Sequence, residues 1–446
     1  MGATIWFGAL ILVGLAHIAS ANDWPQWRGR QRDGVWREDG IVDRLPQQLP
    51  VRWRTAIGGG FAGPAVAGGR VYVCDRVRSA NAPEPENRWN LTDPVEGGER
   101  VMCLDAATGE VLWKHQYPCR YRISYPVGPR ATPTVDGDRV FTLGAMGDLL
   151  CLDAATGKVL WEKNYLSDFG TRMNPWGMAS APLVDGEKLI VLVGGSEGRC
   201  VMALDKRTGE EIWRSLEAED PGYSSPILIE CGGRRQLVVW NPVGLHGLDP
   251  ETGAALWGEP FPCKMGHSVA TPIYDPGKRL VFVTAFFNGP LMVRLAADGL
   301  GAGVLWRGTS DSERPDRTDK LHGLMCTPVI EGDHVYGVCS YGHLRCLRAD
   351  TGERLWATLE PTGEDRWANA FIIRHHDRFF LCNERGDLIL AKLAPGGYAE
   401  LGRAKLIEPT TNAGKRMVVW SHPAFAEKSI FARNDREIIR VDLAAR

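Results

Sequence analysis

Ten side chains that can bind or react recur at one kind of position in this 446-residue chain. They are Arg130, Trp176, Tyr223, His267, His322, Arg366, Trp367, Asn369, Trp420 and His422, with Met178 in the same setting. Each lies just before, or at the start of, a short apolar run. Arginine and large aromatic residues are the types that most often dominate binding energy, so the set reads as a candidate binding face. It does not read as a catalytic centre. His267, His322 and His422 stand five, six and one residues before Pro272, Pro328 and Pro423, so they are not equivalent. No His-x-His, His-x3-His or Cys-x2-Cys spacing joins them, and no metal is expected. Almost no helix is expected, so no glycine-rich loop has a helix start at which to hold phosphate.

The elements that position these residues are legible in a repeat. Leu-Asp-x-x-Thr-Gly-x-x-(Leu/Ile)-Trp occurs as Leu104–Trp113, Leu152–Trp161, Leu204–Trp213 and Leu248–Trp257. Leu347–Trp356 is a fifth copy with Arg348 in place of Asp. Intervals between successive tryptophans from Trp113 to Trp356 are 48, 52, 44, 49 and 50 residues. That period, built of short apolar runs and tight turns, marks a β-propeller. Asp-Gly and Thr-Gly pairs between alternating apolar residues signal hairpins.

Innermost strands are announced by Gly63-Pro64, Thr132-Pro133, Ala181-Pro182, Ser225-Pro226, Thr271-Pro272, Thr327-Pro328 and His422-Pro423, with Asn369-Ala370 filling the remaining slot. Proline at the first residue of a strand loses no ladder bond. The expectation is an all-β, eight-bladed propeller of four-stranded antiparallel blades over 51–446. Blade 5 carries a degenerate turn, Ala297-Asp298-Gly299, and blade 7 lacks its Trp near Leu401–Leu406. Blade 8 is one strand short. Val51-Arg52-Trp53-Arg54-Thr55 carries the same Trp before blade 1, so the N-terminal strand should close the ring and cover its edges. Turns on the Thr-Gly side are short. The segments 75–100, 114–130, 164–180 and 309–325 are long and fall on the other face. Loops over a rigid scaffold are where binding usually lives, and the ten residues should ring the channel mouth on that face.

Bulk properties narrow the function classes. The formal net charge is -2, with no basic stripe, so a nucleic-acid partner has no electrostatic support. Residues 1–21 read as an export signal: an apolar stretch from Ile5 to Ile18, then Ala19-Ser20-Ala21 as a small-x-small cleavage site. The protein is therefore expected to be periplasmic or secreted, with no membrane span after cleavage. Residues 22–50 form an N-terminal segment outside the repeat. Of the 11 cysteines, Cys103, Cys151 and Cys346 share one repeat slot and Cys74 and Cys382 another, as small apolar core residues would. Disulfides Cys74–Cys103 and Cys339–Cys346 are compatible with export. Asn90-Leu91-Thr92 fits a glycosylation sequon.

On these motifs the chain resembles the PQQ-like β-propeller repeat family, which holds both quinoprotein dehydrogenases and the propeller of the outer-membrane assembly machine. The start Asp23-Trp24-Pro25-Gln26-Trp27-Arg28-Gly29 is similar to that of exported PQQ-like propellers from planctomycete-type bacteria. The resemblance implies two functions. One is a non-catalytic binding or scaffold protein of the cell envelope, with a protein or envelope ligand as partner; this is the expected reading. The other is a PQQ-dependent oxidoreductase, or another enzyme using the channel mouth. Quinoprotein dehydrogenases use an adjacent Cys-Cys disulfide, a Ca2+ held by carboxylates and an Asp base. This sequence has no adjacent cysteines and no carboxylate cluster before the inner strands, so neither PQQ nor Ca2+ is expected.

Overall fold

A computed structural model describes residues 22–79 and 93–445. The export signal over 1–21 and the sequon at 90–92 lie outside the described residues. The described residues form eight four-stranded sheets and one two-stranded sheet. Within each of blades 1 to 7 the strands follow in chain order from the inside out. The eighth blade runs Val51–Ala56, Glu437–Asp442, Ser429–Arg433, Ala424–Ala426 from outside in. The first strand of the propeller therefore completes the last blade, paired antiparallel from Val51↔Val441 to Ala56↔Glu437. The described helices are a five-residue α-helix, Tyr165–Phe169, and a 3-10 turn, Lys264–Gly266.

Each residue of the repeat has a structural task. Asp105 Oδ1 accepts from the backbone N–H groups of Ala107 (2.9 Å) and Thr108 (2.8 Å), and Asp153 and Asp205 repeat the arrangement. This side-chain-to-backbone bond closes the turn. The glycine that follows has positive φ and lies against the tryptophan of the preceding blade. A Cβ on Gly109 would meet the Trp53 ring at 2.5 Å, and one on Gly352 would meet Trp306 at 2.7 Å. The indole N–H of the same tryptophan donates to a carbonyl in that turn: Trp53 to Ala106 (2.9 Å), Trp113 to Ala154 (3.0 Å), Trp306 to Ala349 (2.9 Å). Thr-Gly and Trp thus belong to one seam between neighbouring blades, which is why they travel together in the sequence.

The two irregular blades are repaired locally. In blade 5 the degenerate turn offers no carbonyl to Trp257. Its indole instead donates to Gln236 Oε1 (2.7 Å), and Gln236 Nε2 donates on to Gly299 O (2.9 Å) in blade 5. In blade 7, Gly402 pairs with Leu390 beside the strand bulge, where the other blades place Trp. Leu45 from the N-terminal segment sits at 3.5 Å from the Cβ position of Gly402. Leu45 and the buried Ile41 and Leu49 belong to the hydrophobic cluster of the last seam.

The cysteine slots hold as packing positions. Cys103, Cys151 and Cys346 each pair directly across from Trp113, Trp161 and Trp356. All eleven cysteines are buried free thiols, so the two disulfides compatible with the sequence are not formed. Cys74 pairs with Val101 and Cys103 with Tyr72, which offsets the first two thiols along the ladder.

Residues 22–36 enter the central channel as a plug. Trp24 bridges Val66 near the short-turn face of blade 1, and Val135 N–H of blade 2 donates to Pro25 O (2.8 Å). The chain then reaches the opposite end, where the Trp27 indole donates to Thr271 Oγ1 in blade 5 (2.7 Å). On the return, Arg32 Nη1 donates to Ala181 O (3.2 Å) in blade 3 and Pro226 O (3.0 Å) in blade 4. Val35 bridges Arg374, and Trp36 packs on Phe380 and Phe425 of blades 7 and 8. This one short segment touches blades on every side of the ring.

Candidate functional site: an aromatic cavity at the channel mouth

Above the plug, on the long-loop face, lies a cavity of about 440 Å³. That is within the range of small-molecule sites, roughly 300–1,000 Å³. Its wall includes Arg130, Trp176, Tyr223, His267, Arg366, Trp367, Trp420 and His422, so eight of the ten candidate residues meet there. Trp27 also lines it, from the plug below.

The rings hold each other in place. His267 lies edge to face with Trp176 (centroids 4.9 Å apart) and stacks on Phe287 (5.5 Å). Tyr223 meets Trp176 edge-on at 6.1 Å, and His422 lies 4.8 Å from Trp27. The Trp420 indole donates to Glu384 Oε2 (2.9 Å), a buried carboxylate that Arg416 also holds (2.7 Å). Such anchoring presents large surfaces at little further cost in entropy.

Two cations face the cavity. The Arg366 guanidinium pairs with Glu313 (3.0 Å) and lies over the Trp367 ring at 4.8 Å. Arg130 donates to the carbonyls of Ser124 (3.0 Å), Tyr125 (2.8 Å) and Gly128, and lies 5.4 Å from Phe61. No aspartate, glutamate or cysteine lines the cavity among the described residues. Burial, with Arg366 nearby, pulls His267 down to about 4. Burial, with Arg28 nearby, pulls His422 down to about 3. Both imidazoles are therefore neutral around pH 7. Three lining residues hold positive φ without being glycine: Tyr125 (50°), Met265 (60°) and Trp367 (68°). Strain of this kind in bulky residues gathers at functional sites.

Two candidates stand behind the wall. His322 is fully buried, with Nε2 at 3.1 Å from Asp319 Oδ1 and Nδ1 at 3.3 Å from Phe286 O. It supports Phe286, which does line the cavity. Asn369 is buried too, and its carbonyl accepts from Glu384 N–H (3.0 Å). Met178 lies in the core between blades 2 and 3. Sequence reading passed over Trp27, Phe61, Tyr125, Phe286 and Phe287. The adjacent aromatic pair Phe286-Phe287 in a loop on this face was a usable signal.

Two further motifs resolve as structure. Gly194-Gly195-Ser196-Glu197-Gly198 has the spacing of a hydrolase nucleophile elbow, which needs a strand followed by a helix. Here it joins the strands Lys188–Leu192 and Val201–Asp205. Glu99, Cys119 and Asp148 have ligand atoms close enough to hold a metal ion. However, Glu99 already accepts from Tyr117 (2.6 Å), Tyr121 and Ala145 N–H (2.9 Å), and Asp148 accepts from Asn164 (2.9 Å). The cluster is a hydrogen-bonded seam between blades 1 and 2.

Among solved structures, the fold is similar to BamB from Moraxella catarrhalis (TM-score 0.51, 15% identity, 83% of this chain and 98% of that one). It is similar to the quinohemoprotein alcohol dehydrogenase ADHIIG from Pseudomonas putida HK5 (TM-score 0.50, 15% identity, 88% and 82%). At these identities the likeness shows the fold alone. In sequence, polyvinylalcohol dehydrogenase from Sphingopyxis sp. (strain 113P3) is 26% identical over 253 residues. That match covers 47% of this chain and 37% of the relative's length. Residues 97–358 match the profile of the PQQ_2 family, described as outer membrane protein assembly factor BamB, and the chain belongs to that family.

Proposed function

We propose that this protein is an exported, non-catalytic propeller of the cell envelope that binds a ligand or partner group in the aromatic cavity of its long-loop face. The observation that carries this reading is the cavity itself: four tryptophans from the plug and three blades converge on one space. Neutral histidines and paired or carbonyl-bound arginines equip it to recognise. They supply neither a strong base nor an activated nucleophile. Family membership supports a BamB-like scaffold.

Similarity to dehydrogenases favours a second reading, a quinone-dependent oxidoreductase. The aromatic wall could stack against a flat cofactor. A Ca2+ held by carboxylates would find no ligand in this wall, and there is no cysteine pair in it to cover the ring. The residues do not fit that cofactor arrangement. The test is to purify the protein from its native host and measure quinone absorption and bound calcium, beside capture from envelope extract. Absence of a quinone band together with capture of a defined species supports the binding reading. A stoichiometric quinone with calcium overturns it.

A further inference from the structure

The polar atoms of the cavity wall are bonded already or shielded from the space they surround. The Trp27 indole donates to Thr271 Oγ1 (2.7 Å) and the Trp420 indole to Glu384 Oε2 (2.9 Å). Arg130 donates to the carbonyls of Ser124, Tyr125 and Gly128, and Arg366 to Glu313 Oε1 (3.0 Å). The Tyr223 hydroxyl, His267 Nδ1 and His422 Nε2 are buried. What the wall offers an occupant is ring surface, from Trp27, Phe61, Trp176, Phe287 and Trp420, beside the side chain of Met325.

Charge narrows the occupant. A cage of aromatic rings commonly receives a cation. Here two arginines stand in the wall and no carboxylate does among the described residues, so a cation is repelled. An anion has to compete for guanidinium groups that already hold acceptors. A molecule rich in hydroxyls leaves water for a wall that returns few hydrogen bonds, which is costly. A neutral apolar ring loses no polar partner and gains contacts with the faces and edges of the wall. Size narrows it further. An apolar cavity of about 150 Å³ holds one benzene ring. At about 440 Å³ this cavity has room for about two or three fused rings. Trp27 closes it from below, so it is a blind pocket that surrounds a small molecule on most sides.

We infer that the cavity takes a small, neutral aromatic compound of about two or three fused rings that carries no charged group. The inference rests on the cavity being the binding site.

The test holds shape nearly constant and varies charge. The full-length protein is titrated with N-phenyl-1-naphthylamine, a neutral probe that fluoresces in apolar surroundings. The probe is then displaced by naphthalene, 1-naphthoate, 1-naphthylmethylammonium or maltose. The expected result is saturable binding of the probe and displacement by naphthalene, with a dissociation constant below about 100 μM. The anion and the cation should each bind at least about tenfold more weakly, and maltose should not displace. Ala179 lines the cavity, and Ala179→Trp fills it without removing a packed ring. That variant should weaken the probe and naphthalene about tenfold or more. Trp176→Ala, which removes wall surface, serves as a second variant, and thermal melts confirm folding of each. Tightest binding by 1-naphthoate or by the cation, lost in Ala179→Trp, overturns the neutral ligand and leaves the cavity as the site. Capture of an envelope protein that is lost in Ala179→Trp, with no free compound bound, makes the occupant a side chain of that protein and also overturns the inference. Binding unchanged in both variants, or no saturable binding and no capture, overturns the inference and the cavity together.

Discussion

The Trp27 indole and the His422 imidazole lie 4.8 Å apart across the channel, one from the N-terminal plug and the other from the start of the last blade. The first described segment of the chain and its final blade thus build one surface. Because Trp27 also bonds Thr271 in blade 5, the plug ties distant blades together. Trp27→Ala should lower stability by about 3 kcal/mol, as loss of a packed aromatic does, and should also deepen the cavity. Chemical denaturation checks the first effect. An unchanged midpoint would mean that the plug is not held in the channel.

Ring closure makes a second prediction. Deleting residues 51–57 removes the outer strand of blade 8 and the ion pairs Arg54–Glu437 (2.8 Å) and Arg52–Asp442. An uncovered strand edge invites aggregation. A large loss of solubility or melting temperature is expected, and a truncated chain that melts like the intact one would contradict the closure.

The Trp–Gly seam can be tested by contrast. Gly352 (φ 71°) and Gly137 (φ 58°) both hold left-handed backbone, so alanine at either position is strained. Only Gly352 also faces a ring, Trp306, at 2.7 Å from the added Cβ, whereas nothing lies within 4 Å at Gly137. Gly352→Ala should cost about 1–3 kcal/mol more than Gly137→Ala through overpacking. Equal losses in urea melts would remove the seam from the account.

Three histidines should make the fold acid-sensitive. Burial lowers His246 and His267 to about 4 and His422 to about 3. All three lie below the unfolded value of about 6.5. The unfolded chain therefore binds more protons as pH falls below 6.5. Their stabilising contribution is fully present above that pH and is lost toward pH 4. Together they set a slope of up to about 4 kcal/mol per pH unit. Denaturation midpoints at pH 7.5, 6 and 5 measure it, and His246→Phe with His422→Phe should flatten the curve. A flat curve in the unsubstituted protein would show that these rings are not buried neutral.

Much of the fold was legible because each repeat residue answers a local need: Asp and Gly in the turn, Trp in the seam, Pro at the strand start. The plug was not. Residues 22–36 make isolated bridges rather than ladders, so no periodicity marks them, although Trp24, Trp27 and Trp36 all pack inside the ring. Leu45 standing in for a missing Trp was invisible for the same reason, since it comes from far along the chain. At the site, strand-start spacing located the wall. It could not separate residues that face the cavity from His322 and Asn369, which are buried behind it.

The central claim is that the long-loop cavity is the binding surface, and paired variants test it most directly. Arg366→Ala with Trp367→Ala alters the cavity wall. Lys206→Ala with Arg207→Ala alters the short-turn face, where Lys206 pairs with Asp136 (2.8 Å) and Arg207 with Glu187 (2.9 Å). Arg207–Glu187 is an exposed pair, of the kind that contributes about 0–1 kcal/mol to stability, whereas the Lys206 side chain is half-buried, so folding of the second variant is checked before binding is compared. Affinity for the species captured from envelope extract is then measured, with folding confirmed by circular dichroism. The cavity pair should weaken binding by about 2 kcal/mol or more and the short-turn pair should change it little. The reverse ranking in folded proteins would contradict the account.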